Sequence, residues 1–416
     1  MSGLGSKLSL AAVLLLATAF LARAQFDCDA GCDLKFKPVC GEDDVTYQNE
    51  CLAFCQDVAV ARPGNCGGGA GDKPSFVKES GKATAEVMKR FDADGFVFTG
   101  LEALVERTPA DVEDTLSKAK PGKGPVKKIV ARRLTPEGLV YTSSDKRQGL
   151  VVPPEMRDGS PHQAPARRSL RGSGGPGDGA VGRDAAAAER DLSVIGSDQR
   201  LQVTNPTAYP QRTHGQVDVG CSGAVVSPNA VLTAGHCVHG GAGQTWYTNI
   251  NFSPGRYRTS GGSVVSPYGT WTWQFVTTFG VWTTSSDSNY DMAVINYRRN
   301  SSSQQLGDVV GWLGMSSNAC PTPSTTITTH GYPGDKPAGS MWYVPTCPPL
   351  TWACGAYTAT STCDTYPGQS GSAMWVASTY VAYGNHIQGL TTYNRHCMLN
   401  SAKWPSIYAW AYQKPT

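Results

Sequence analysis

Residues 364–374 read DTYPGQSGSAM, and the turn Gly368-Gln369-Ser370-Gly371 inside them decides how the second half of the chain is read. A glycine two residues before a serine gives the backbone a shape closed to other side chains, so that the N–H groups of Gly368 and Ser370 aim at one point. Such a pair makes an oxyanion hole, and Ser370 beside it is a candidate nucleophile. A serine hydroxyl attacks poorly unless a base takes its proton, so the turn needs an imidazole and an orienting carboxylate from elsewhere. The chain has both. VLTAGHC at 231–237 places His236 just after an apolar strand, and SNYDMAVI at 288–295 places Asp291 at the mouth of another. A Gly-His-Cys tripeptide, a buried aspartate or a glycine-flanked serine is a common accident taken singly. Found in this order, each in a strand context, they form one chemical unit with His236 as base, Asp291 as its orienter and Ser370 as nucleophile. A disulfide between Cys221 and Cys237 would pin the histidine loop to the strand before it.

The sequence around these motifs is rich in glycine, serine and threonine, with short β-branched runs such as GAVVSPNAVLTA (223–234), QFVTTFGVWTT (274–284) and DMAVINY (291–297). Runs of that length between turn residues predict an all-β barrel or sandwich. His236 and Cys237 lack a spaced second pair of ligands, so a metal site is not expected, and no cofactor is called for.

These segments resemble the chymotrypsin-like clan and, within it, the glutamyl endopeptidase branch. The resemblance runs from Ser193 to about Trp410, on SVIGSDQRLQVTNPTAYP (193–210), TAGHC, NYDMAVI, GYPGDKPAGSMW (331–342), DTYPGQSGSAM and TTYNR (391–395). It implies a mainly β fold of two antiparallel six-stranded β-barrels with the triad in the cleft between them. It also implies a mature enzyme beginning near Ser193 or Val194. In that branch a threonine five positions before the nucleophile, here Thr365, and a histidine on a later strand bind the P1 carboxylate. Aligning the YNR segment puts Tyr383 in the histidine's place, with His386 three residues on; a second alignment around Gly389-Leu390 leaves Thr391 there. Asp364, six before Ser370, stands where trypsin-like enzymes keep an aspartate for basic P1 residues, but the glutamyl branch carries one there too. Asp364, Thr365 and Tyr383 are therefore the expected pocket residues, and acidic, basic and other P1 preferences all stay open.

The thirteen cysteines divide into six between Cys28 and Cys66 and seven from Cys221 onward, with none between. Two separately stapled units and an oxidising destination follow. A segment as short as the first buries too little surface to fold without staples. Spacing alone leaves its pairing open. With PVCGEDDVTYQNEC at 38–51, it resembles the Kazal family of serine protease inhibitors. The resemblance implies pairs Cys28–Cys55, Cys32–Cys51 and Cys40–Cys66, and Leu34 as the P1 residue of an inhibitory loop. A loop held in substrate-like shape has already lost the entropy that binding would take. Another serine protease is the partner such a loop implies, and a structural role is the alternative. In the second unit the odd cysteine count leaves one thiol over; Cys347–Cys354 and Cys363–Cys397 are the expected pairs, with Cys320 left.

At the amino end, Lys7, an apolar stretch from Leu8 to Phe20 and Ala22-Arg23-Ala24 read as a cleaved secretory signal over 1–24. Residues 25–67 are then the Kazal-like domain, 68–192 a propeptide and linker, and 193–416 the protease-like domain. Within the pro-region, helix-capping signals open SGKATAEVMKRFDADGF (80–96) and PADVEDTLSKAK (109–120), while 153–192 is a Pro-, Gly- and Arg-rich tether expected to be disordered. DADG at 92–95 matches the start of a calcium loop, but the later ligands are missing. Asn251 and Asn300 begin glycosylation sequons. A formal net charge of +3 gives no reason to expect nucleic acid or an anionic membrane as partner. Two functions remain: a secreted endopeptidase made as a zymogen and acting on proteins or peptides, or a secreted inhibitor or binding protein with a dead protease part.

Overall fold

The apolar runs pair as antiparallel strands, and those nearest the triad residues are buried on both faces. In the computed structural model the contacts divide the chain into two units, Met1–Lys89 and Arg90–Thr416. The described residues are 39–42, 46–47 and 60–63 of the first unit. In the second they are parts of 91–163, chiefly 95–109 and 129–143, and then 194–413 without 318–324, 348 and 391.

In the first unit the strand Val39–Gly41 lies between Thr46–Tyr47 and Val60–Pro63. Cys40 is buried there and disulfide-bonded. Leu34, Cys28, Cys32, Cys51, Cys55, Cys66 and the 1–24 segment lie outside the described residues.

Two large sheets form most of the second unit. One runs, in spatial order, Phe252–Pro254, His214–Val217, Cys221–Val225, Ala230–Thr233, Ala293–Tyr297 and Trp273–Phe279. These are the six strands of the first barrel. The sheet does not stop there: it continues through Ala131–Leu134, Leu139–Ser143 and Phe96–Leu101, all from before residue 193. The boundary between units falls at 89/90, and much of the segment expected to be a propeptide and linker packs with residues 194–413. The other sheet has at its centre Thr358–Ser361, Asn394–Met398, Val381–Gly389, Ala373–Val376, Ile327–Gly331 and Trp342–Cys347, six strands with Pro349–Thr351 and Leu201–Gln202 added at its two ends. Ile327, Val344, Ala359, Met374 and Met398 fill its interior. Ala224 of the first barrel meets Leu313, Ala373, Trp375 and Ala382 of the second in one apolar cluster, which fixes the barrels against each other.

The last helix, Trp404–Ala411, closes the first barrel. Asn296 donates to the carbonyl of Trp410 at 3.0 Å and Ser227 to that of Ala411, so the helix's final carbonyls have partners inside the protein.

The cysteine pairs differ from the expected ones. Cys347 bonds Cys363, Cys354 is also disulfide-bonded, and among the described residues the free thiol is the buried Cys397. Cys347 ends one strand and Cys363 follows another, and their Cα atoms lie 5.2 Å apart, inside the range a disulfide needs. Cys397 sits in a central strand with its sulfur turned instead to Lys403 at 3.1 Å.

Candidate active site

Strand pairing brings the first two candidates together. Ala230–Thr233 and Ala293–Tyr297 lie side by side, with Thr233 opposite Ala293. A single 3-10 turn, Gly235–Cys237, follows the first strand and carries His236; another, Ser288–Tyr290, precedes the second and delivers Asp291. Asp291 then holds His236 twice. Its Oδ1 accepts the backbone N–H of His236 at 2.8 Å, and its Oδ2 lies 2.7 Å from Nδ1 of the ring. Both side chains are wholly buried. A carboxylate on Nδ1 directs the other ring nitrogen, Nε2, to act as base. The ring of Trp282 stands edge-on to His236, and its Nε1 donates to the carbonyl of His239 at 2.9 Å.

Cys221 and Cys237 are joined, tying the histidine turn to the neighbouring strand. The same strand holds the Ser370 turn. The N–H of Ser222 donates to the carbonyl of Ser370 at 2.8 Å, and the sulfur of Cys237 lies 3.6 Å from that carbonyl. The Ser222 hydroxyl donates to the carbonyl of Gly368 at 2.8 Å and accepts the N–H of Tyr332 at 3.0 Å. Ser222 thereby fixes both ends of the turn. Gly368 has φ +101°, and a Cβ there would lie 2.5 Å from the Tyr332 carbonyl, so no other residue fits. Among the described residues, the N–H groups of Gly368 and Ser370 donate to no backbone carbonyl. They remain available to an oxyanion.

The expected pocket residues separate. Thr365 is buried and donates to Oδ1 of Asn394 at 2.9 Å. Asp364 does not face a pocket: its two oxygens accept the N–H groups of Ile195 at 2.8 Å and Gln199 at 2.7 Å. Tyr383 packs on the apolar cluster of the second barrel, edge-on to Trp352. His386 lies on the strand that bonds the residues just after Ser370. Its backbone N–H donates to Ser372 at 2.7 Å and its carbonyl accepts from Gly371 at 2.8 Å. It faces His396 across the strand pair, ring centres 5.5 Å apart, and His396 in turn meets the Ser361 hydroxyl at 2.7 Å. Burial, with His396 and His236 nearby, pushes the pKa of His386 well below the usual imidazole value; burial takes His396 down to about 3. Both rings are therefore neutral in the empty protein.

Ser222 and Lys403 escaped the sequence reading, and His386 was noted there only as the imidazole three residues past Tyr383. Ser222 follows the disulfide cysteine and carried no signal of its own. His386 was visible as one of only seven histidines. Lys403, fully buried, donates to the carbonyl of Asn289 close to Asp291. Cys221, His236 and Cys237 lie close enough to hold a metal ion, but the disulfide leaves that trio without a thiolate.

Comparison with known proteins assigns families to the two parts of the chain. The Trypsin family model matches residues 200–413, and that of the Kazal-type serine protease inhibitor domain matches 23–65. A protein from Bacillus subtilis named extracellular metalloprotease is 34% identical over 238 residues, 53% of this chain and 70% of its own. A glutamyl endopeptidase of Bacillus licheniformis is 34% identical over 233 residues, 52% of this chain and 69% of its own. The rat inactive serine protease 35 is 46% identical over a shorter stretch of 59 residues, 14% of each chain.

Proposed function

The chain belongs to the trypsin family of serine proteases and carries a Kazal-type domain, and on that premise we propose that it is a secreted endopeptidase, made as a zymogen, with an acidic P1 preference. As a peptide hydrolase it would attack the scissile carbonyl carbon with Ser370 Oγ while His236 Nε2 takes the hydroxyl proton. Asp291 holds the ring through Nδ1, and the N–H groups of Gly368 and Ser370 receive the oxyanion. His236 then returns the proton to the leaving amine. Water, activated by the same ring, releases the acyl group from Ser370.

The observation that carries this reading is the double hold of Asp291 on His236, on backbone and ring together. A dead site has no use for it. A fluorophosphonate tests the reading directly. In the chain cut ahead of Val194, covalent label on Ser370 is expected, and its absence favours the second reading. That reading, an inactive protease part, draws on the short match to a relative named inactive.

Acidic P1 preference is supported by Thr365, buried in the loop that leads to Ser370, and His386, buried on the strand bonded to that turn, and by the name of one relative. A P1 glutamate would bring His386 a counter-charge in a site where burial otherwise keeps it neutral. The leucine at position 34 does not suit such a pocket, because the carboxylate-binding groups would be left unpaired. The Kazal domain would therefore act on a different protease. Titrating residues 25–67 against the mature enzyme and against a subtilisin-like enzyme separates the two: tight inhibition of its own enzyme overturns this part.

A further inference from the structure

The first barrel does not end at its own last strand. Trp273–Phe279 is buried at all 7 positions, which is not how an edge strand is built. Its outer side is covered by Ala131–Leu134, in register from Val276 opposite Leu134 to Phe279 opposite Ala131. The ladder goes one step further, with the N–H of Gly280 donating to the carbonyl of Val130 at 2.6 Å. Leu139–Ser143 and Phe96–Leu101 then extend the sheet outward.

Side chains lock the seam. Arg133, from the pro-region, is fully buried, and its Nε donates to Thr277 Oγ1 at 2.8 Å. Its guanidinium lies 3.8 Å from the ring centre of Phe96, 4.5 Å from that of Phe91 and 4.8 Å from that of Phe275. Two of those rings come from the pro-region and one from the barrel. Removing the pro-region would strip Thr277 and Phe275 of their cover.

A second seam reaches the histidine turn. Leu104–Val105 pairs in parallel with Trp246–Tyr247, and Thr248 donates to the Val105 carbonyl at 3.0 Å. Asn249 exchanges two bonds with the backbone of Arg107, at 3.1 and 2.8 Å. The hydroxyls of Thr115 and Tyr247 meet at 3.1 Å. On its inner side the same loop folds on the site: the N–H of Tyr247 donates to Val238 at 2.9 Å, and Trp246 stands edge-on to His239, whose carbonyl receives Trp282. Trp246 and Tyr247 have essentially no exposure with the pro-region in place.

We propose that residues 91–143 stay on the protease as a non-covalent subunit after the chain is cut ahead of Val194, completing the first barrel's sheet and bracing the loop behind His236. This rests on the reading of the chain as a processed zymogen. An arriving protease would cut in the connector, and the two seams would hold the segment where it is. The resident partner is a β-hairpin with a buried cation, and its docking surface is the outer edge of Trp273–Phe279 together with the 246–249 loop.

The test does not depend on natural processing. A site-specific protease sequence is placed between residues 164 and 192 of the full chain, the purified protein is nicked, and size-exclusion chromatography with intact mass follows. Limited trypsin digestion of the unmodified chain, at the arginines between 167 and 190, is the second route should the insertion disturb folding. A fragment containing 91–143 is expected to co-elute with 194–416 and to separate only in denaturant. Refolded alone, 194–416 is expected to regain under a tenth of the fluorophosphonate labelling of the nicked complex, with recovery on adding the 90–143 peptide. Dissociation in native buffer overturns the proposal, whether or not the remaining protein stays active. A complex that co-elutes but leaves Ser370 unlabelled would sink the enzymatic reading while this one stands.

Discussion

The ammonium of Lys403 donates to the carbonyl of Asn289 at 2.8 Å, two residues ahead of Asp291, from a site closed to solvent. It also donates to the carbonyl of Tyr357 and the sulfur of Cys397, each at 3.1 Å, and lies over the rings of Tyr290 and Tyr357. Burial lowers its pKa and raises that of Cys397. The 3-10 turn that presents Asp291 is thus held from behind by one side chain.

Lys403→Met keeps most of the volume but takes the ammonium from two buried carbonyls, leaving that of Tyr357 with the N–H of Met398 and that of Asn289 with the Cys397 sulfur. A loss of about 2 kcal/mol is expected from the unmade bonds, measured by urea unfolding. If the turn transmits the change, kcat falls while KM holds, because Asp291 serves the transition state and not substrate binding. Equal loss in Cys397→Ser would point to the thiol as the important partner.

Ser222→Ala removes the hydroxyl that joins Tyr332 to Gly368 and leaves the disulfide untouched. The expected result is a fall in kcat of roughly tenfold from a loosened oxyanion turn, for two buried bonds of about 1 kcal/mol each. Unchanged kcat with a lower melting temperature would confine Ser222 to stability.

Pocket variants separate His386 from Tyr383. With a glutamate at P1, His386→Ala is expected to lower kcat/KM by about a hundredfold or more, the size of losing a charge-assisted buried bond. Tyr383→Phe should change it little, since that ring packs on apolar side chains. Burial holds His386 neutral in the free protein, so binding an ionised glutamate draws in a proton. KM for glutamyl substrates should then rise with pH, up to about tenfold per unit, whereas KM for glutaminyl substrates stays flat. A flat profile for both would count against His386.

Acid should unfold the second unit steeply. His214 and His330 stack between the barrels with ring centres 4.6 Å apart, and burial pushes His214 well below its usual pKa and His330 to about 3. His386 and His396 are lowered in the same way. A folded pKa below the unfolded value means the unfolded chain binds more protons as pH falls. Stability is therefore complete above about pH 6.5 and is lost between there and about pH 3, at roughly 1.4 kcal/mol per pH unit for each ring. Four such rings, all lowered by burial, make the loss steep as pH falls below the ordinary imidazole value. His330→Phe should make the dependence shallower by one proton in a pH series of denaturant melts.

The triad motifs were legible because each is local: strand, turn and reactive side chain lie within a few residues. His386 was harder. The segment TTYNR, used to place the later strand, lies partly across a hairpin turn, and the pairing slips between His386 and Gln388, so counting back from it misplaces the histidine. Asp364 misled for another reason. A carboxylate's partners here are backbone N–H groups, which every residue carries, and no sequence pattern names them. The pro-region was partly readable: Thr108 and Asp111 do exchange capping bonds at 2.9 and 3.4 Å. ARRL, TPEG and LVYTS at 131–143 are also a strand, a turn and a strand. What local pattern could not tell is that this hairpin adds to the sheet of a barrel more than a hundred residues away.

The hold of Asp364 on Ile195 and Gln199 has a consequence for how the amino end may vary. Because the carboxylate grips main chain, the hold does not depend on the side chains of Ile195 and Gln199 but does fix the number of residues between them; Asp198, in that stretch, is tied separately to Arg200 and Lys336. One residue gained or lost there moves an N–H out of reach, and an exopeptidase trimming past Ile195 removes one of the two outright. The loop that bears Ser370 thus holds a ruler for the 195–199 segment, and it measures length where one would have looked for charge.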